Sequence, residues 1–222
     1  MDAIAMTLPS SILRTIDSLA HPRESSSPPL VPIVVLAAAC MAMYGCAMGT
    51  YEVWEDDRWK LAVFGAIKSP VLLLATTLLV LPGFFVLNSA LGLREDIGTA
   101  LRAVLASQAS LALALVSLAP VTVLAYLSGL AHNQAILVNA LMFTLATLVG
   151  QGVMLRWYRP LIARNPRHRF ALFAWLVLYA FVGMQTGWML RPFIGTLQTP
   201  PTFLREEPFS NAYIAIWGLL RR

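Results

Sequence analysis

The densest chemistry in the chain lies in YEVWEDDRWK, residues 51–60. Four carboxylates, Glu52, Glu55, Asp56 and Asp57, gather there beside Trp54 and Trp59. Such a cluster could hold a divalent cation, yet it lacks the glycine turn and ligand spacing of a calcium loop. It also reads as a solvated loop with an aromatic belt at a membrane edge, or as a docking surface for a partner. A second charged group in an unusual setting is Arg191, in GMQTGWMLRPFIG, residues 183–195. It follows Trp188 by three residues and precedes Pro192, which disfavours helix at the arginine. Three roles are open to it. It could be a cation snorkelling to the membrane edge, an ion-pair partner for the acids of residues 52–57, or a seat for an anionic headgroup.

A third set is neutral. Asn88, Gln108, Asn139, Gln151 and Gln185 lie inside long apolar stretches. Amides at such depth either line a polar path or hydrogen-bond neighbouring helices.

The elements that must position these groups are membrane helices. The 222 residues are 58% hydrophobic and 12% charged, about half the charge of a soluble domain. The charge sits between five apolar stretches, near residues 30–51, 69–92, 105–128, 134–157 and 169–190. Each is long enough as a helix to cross the roughly 30 Å hydrocarbon core, and none alternates as a barrel strand does. The expected fold is therefore all-α, a polytopic bundle of five transmembrane helices with amphipathic flanking helices. Residues 1–29 form an N-terminal segment ending in a Pro/Ser-rich linker, residues 30–193 the bundle, and residues 194–222 a C-terminal loop and interfacial helix. Three segments read as interfacial, lying along the membrane surface or packing against the bundle: SSILRTIDSLAHP (10–22), WKLAVFGAIK (59–68, too short to cross) and FSNAYIAIWGLLRR (209–222).

All eleven Asp and Glu residues fall outside these stretches, and the three histidines lie in flanks or connections. An intramembrane ionisable group is costly and usually functional, so this pattern argues against intramembrane aspartyl chemistry and a mid-bilayer proton relay. There is no HExxH, phosphate-binding loop, dinucleotide fingerprint or Cys/His cluster of metal-ligand spacing. Cys40 and Cys46, six residues apart on one helix, point about 240° apart and cannot pair. No catalytic residue, metal or cofactor is expected. An enzyme would have to use loop residues, Glu55 or Asp57 with Arg191, without a nucleophile and base at recognisable spacing. The net charge of +5 flanks spans instead of forming a basic module, so no nucleic-acid partner is expected.

Small residues supply the remaining signal. Gly45 and Gly49 form a G-x-x-x-G, continued N-terminally by Ala38 and Ala42, and Gly183 and Gly187 repeat it in the fifth stretch. Such strips let helix backbones approach closely, within the chain or between chains. Pro82-Gly83 and Pro120 would kink or open their helices, as in some transporters, although proline is common in membrane helices generally. Five arginines, Arg156, Arg159, Arg164, Arg167 and Arg169, place one short loop on the cytoplasmic side. That puts the N-terminus inside and the C-terminus outside, with Arg221 and Arg222 pulling the other way.

Three stretches, AIKSPVLLLATTLLVLPGFFVLNSALGL, RAVLASQASLALALVSLAPVTV and LYAFVGMQTGWMLRPFIG, resemble a group of bacterial multispan membrane proteins. That group is similar to the five-helix Yip1-like proteins in span count and cytoplasmic N-terminal segment. The resemblance covers roughly residues 60–196 and implies a fold and a bacterial inner (plasma) membrane location, with no catalytic residues to carry over. Taken together, the sequence predicts a non-enzymatic membrane protein serving as an accessory or assembly subunit, with membrane lipids and other membrane subunits, or itself, as partners. The rival reading is a small-molecule or lipid permease.

Overall fold

A computed structural model describes residues 30–52, 57–195 and 202–204. The amphipathic segments expected at residues 10–22 and 209–222, together with Glu55 and Asp56, lie outside the described residues. The described chain is all-helical: α1 Leu30–Met48, α2 Trp59–Ala90, a single 3-10 turn Arg94–Asp96, α3 Ile97–Leu127, α4 His132–Arg164 and α5 His168–Met189. All five α-helices are long and apolar enough to cross a membrane, which makes this a multi-pass membrane protein by length and composition.

Three helices are longer than expected. WKLAVFGAIK is not a separate surface segment but the first turns of α2, continuous through Pro70 and Pro82 to Ala90. Pro120 likewise lies inside α3. Proline is accommodated in membrane helices because neighbouring groups can take up the freed carbonyls. α3 begins at Ile97, and α4 extends through Pro160 to Arg164, since hydropathy marks only the lipid-buried part of a helix.

The connections follow local chemistry. α2 closes with Gly92 at φ +73°, the Gly92 N–H bonded to Ser89 O (3.1 Å) and the Leu93 N–H to Asn88 O (2.8 Å). This is a Schellman motif, and only glycine adopts that φ without cost. α4 begins where the Ala131 N–H donates to the side chain of Gln134 at 3.0 Å, the return half of a capping box.

α1 lies at the centre, packed against α2 and α3; α4 lies against α3 and α5 against α2. One core cluster joins α1 to α2, α3 and α4 through Tyr44, Met41, Leu73, Leu115 and Met142. Another joins α2 to α5 through Phe84, Val104, Tyr158 and Trp175. The outward faces are as apolar as the core: Leu137, Leu148, Phe170, Phe173 and Phe181 are all exposed. Water would not tolerate such continuous apolar faces, whereas lipid does.

The bundle therefore has two ends. The loop end gathers residues 49–52 and 57–58, the α3–α4 turn and residues 190–195. The turn end gathers residues 91–96 and 165–167 with the start of α1.

Candidate functional site

The small-residue strip of α1 packs within the chain. A Cβ at Gly45 would run into the carbonyl oxygen of Gly65 and the Ser69 hydroxyl on α2, and one at Gly49 into the backbone of Ala62. The two helices touch backbone to backbone, which only glycine permits. Ala38 and Ala42, two turns and one turn before Gly45, are half-buried. The second pair is different. A Cβ at Gly183 would lie 3.4 Å from the Thr76 methyl, and one at Gly187 3.8 Å from a Leu72 methyl, ordinary side-chain contact. The close-approach device expected in both helices is thus seen in α1 alone. Gly150, not singled out from the sequence, meets α3 closely instead, its added Cβ falling 2.9 Å from Ser107 O.

The buried amides mostly bind helix to helix. Asn139 of α4 accepts from the Tyr44 hydroxyl of α1 (3.1 Å) and donates to the Tyr126 hydroxyl of α3. Its amide also donates to Ala135 O at 2.8 Å. Gln108 of α3 accepts from the Tyr179 hydroxyl of α5 at 2.9 Å. Asn88 bonds back to Phe84 O of its own helix at 2.8 Å, leaving its own oxygen buried without a partner. Gln151 and Gln185 are half-buried. A cavity of about 20 Å³ lies beside Gln108, lined by Ile33, Ala37, Leu73 and Thr77. That is the space one water needs.

Glu52, Asp57, Arg58, Lys60 and Arg191 lie at the loop end. Glu52, on a left-handed backbone at φ 52°, places a carboxylate oxygen 3.9 Å from the Arg58 guanidinium. Asp57, also left-handed, pairs with Lys60 at 2.6 Å on the exposed surface. The hydrogen bond and charge of Lys60 hold the Asp57 carboxyl below its ordinary range. Tyr51 ties this loop to the α3–α4 turn by donating to Leu130 O at 2.9 Å, and burial pushes its phenol up. Arg191 stacks its guanidinium 3.0 Å from the centre of the Trp188 ring and bonds Trp188 O at 3.3 Å. The described cation beside Glu52 is Arg58. Arg58, 4% exposed, donates to Gly195 O at 2.9 Å and so holds the chain beyond α5 against the start of α2.

Sequence reasoning missed Lys68. It ends WKLAVFGAIK, a segment too short to cross by itself, and is fully buried within α2. Its Nζ donates to Pro192 O at 2.8 Å and faces the rings of Phe203, Phe64 and Phe193 at 4.9, 5.8 and 5.9 Å. Each distance falls inside the range of a cation–π contact. The available signal was its position four residues after Phe64 on a helix that continues past Pro70.

At the turn end, His168, fully buried, meets Asp96 at 3.0 Å. Its ring packs edge-on against Tyr158. Arg167 reaches Leu91 O at 3.3 Å. These contacts fasten the α4–α5 turn to the α2–α3 turn. Among the described residues no group of three or more His, Cys, Asp or Glu gathers as a metal site would require.

In comparisons with known proteins, no family model, curated protein or solved structure matches this chain.

Proposed function

We propose that the protein is a non-enzymatic integral membrane subunit that supports the assembly of a larger membrane complex. In this reading it sits in a bacterial inner membrane with the arginine-rich turn end in the cytoplasm and the loop end outside. Five arginines between Arg156 and Arg169 at that end support the orientation.

The observation that carries the reading is how buried polar side chains are used. Tyr44, Tyr126 and Asn139 bond across α1, α3 and α4, and Gln108 with Tyr179 joins α3 to α5. Groups engaged in this way hold helices at fixed positions, as a scaffold requires, and are not available to accompany a solute. The Yip1-like resemblance agrees with a membrane protein without catalytic residues, and adds no activity. A permease remains the rival, supported by the small cavity beside Gln108.

The deciding experiment is the mass and composition of the particle released in native nanodiscs. A stoichiometric second membrane protein supports the subunit reading. A lone monomer or homo-oligomer removes that reading in favour of the permease, which then predicts a flux lost on Asn88→Leu or Gln185→Leu with folding intact. Because Gly45 and Gly49 face α2 of the same chain, their variants test folding and not assembly.

A further inference from the structure

Lys68 is out of balance with its surroundings. An ammonium group has three donors, and one of them reaches Pro192 O. The others look toward aromatic faces. Among the described residues no carboxylate forms an ion pair with it, and none of the five helices contains an Asp or Glu. A buried cation without a counter-charge is costly, and ring faces and one carbonyl offset only part of that cost. Arg58, itself nearly buried and 3.9 Å from the Glu52 carboxylate, bonds three residues further along the same segment at Gly195.

We propose that Lys68 is the centre of an oxyanion site at the loop end, taking a phosphate or carboxylate group through the two donors that Pro192 leaves free. The depth is suitable. Lys68 lies roughly 13 Å along α2 from Trp59, and α2 at about 48 Å exceeds the hydrocarbon core by more than ten ångströms. The ammonium therefore sits near the boundary where headgroup phosphates lie. Access is past Phe203, the outermost ring of the cage. It is 41% exposed, lies outside every helix, and is held edge-on against Phe64 at 5.3 Å. An anion that enters displaces this ring and exchanges a cation–π contact for charge-assisted hydrogen bonds, which are stronger. Arg58 acts as a positioning residue, keeping the Pro192–Gly195 segment in place. The site stands whether the protein is found with a partner or alone.

The test is thermal unfolding of the full chain in neutral detergent, titrated with short-chain phosphatidylglycerol, short-chain phosphatidylcholine or inorganic phosphate. The wild-type protein is expected to respond to phosphatidylglycerol at roughly tenfold lower concentration than to phosphatidylcholine. Lys68→Met should lose this difference and Lys68→Arg should keep it. A response to inorganic phosphate matching that to phosphatidylglycerol identifies a free anion as the occupant, and a response to the lipid alone identifies a headgroup. No discrimination in the wild type, or full discrimination in Lys68→Met, overturns the site. Should Lys68→Met fail to fold, Phe203→Ala decides. It keeps the amine and opens the cage, so its response must come at lower anion concentration than wild type, and an unchanged response overturns the proposal.

Discussion

The first and last helices carry the same G-x-x-x-G spacing and lie against the same partner, α2, yet they use it differently. At Gly45 and Gly49 the α2 backbone occupies the place of the missing side chain; at Gly183 and Gly187 only the ends of Thr76 and Leu72 come near. The difference lies in α2. Gly65 and Ser69 form their own small-x-x-x-small pair opposite α1, so both surfaces are bare. Opposite α5, α2 presents larger side chains, which hold the axes apart. A glycine pair becomes a close contact only where the facing helix is also stripped.

The largest effect should come from filling the α1 seam. Gly45→Leu must separate two backbones or unseat α1, the helix to which both α2 and α3 are attached. Overpacking of this kind is expected to cost about 3 kcal/mol or more. It should appear as a large fall in the unfolding temperature in nanodiscs, or as loss of a monodisperse particle. An equal fall for Gly187→Leu would break the comparison between the two seams.

Next in size is the tie that fixes α1 to the other side of the bundle. Asn139→Leu removes the acceptor for Tyr44 and the donor to Tyr126 together. A loss of about 1–2 kcal/mol is expected, read as a lower unfolding temperature. Tyr44→Phe in the Asn139→Leu background should add little, because the two groups belong to one network. A fully additive second loss would show that the hydroxyl works elsewhere. Smaller again is Asp96→Asn at the turn end, which keeps the shape but removes the charge facing buried His168. About 1 kcal/mol is expected, measured by the same unfolding assay at neutral pH. No change would mean that packing against Tyr158 alone holds His168.

These contrasts also explain what could be read in advance. The five spans were legible because lipid demands long apolar helices with their backbone bonds satisfied internally. Their ends were not, since a helix continues beyond the hydrocarbon wherever packing supports it, as α2 does from Trp59 and α4 does to Arg164. WKLAVFGAIK reads as interfacial because it is too short to cross by itself, and the burial of Lys68 depends on Phe193 and Phe203, more than a hundred residues away. The pairing of Gly45 with Gly65 was half legible. Both small-residue pairs stand in the sequence, but which faces meet is a property of the bundle. Asn139 as helix glue was one of two readings of an amide in lipid, and choosing between them required the positions of Tyr44 and Tyr126.

The smallest effect is the most discriminating for the glycine comparison. Gly187→Ala adds one methyl at a place where the nearest atom, a Leu72 methyl, would stand 3.8 Å away, a normal van der Waals distance. The same substitution removes backbone freedom, which favours the helix by up to about 1 kcal/mol in helical positions. The two terms point the same way, so Gly187→Ala should leave the unfolding temperature unchanged or raise it slightly. At Gly45 the identical change meets the Gly65 carbonyl oxygen, and there the contact must outweigh the gain in helix propensity. Opposite signs for one methyl at two matched motifs would establish that α2, and not the G-x-x-x-G itself, decides which seam is tight.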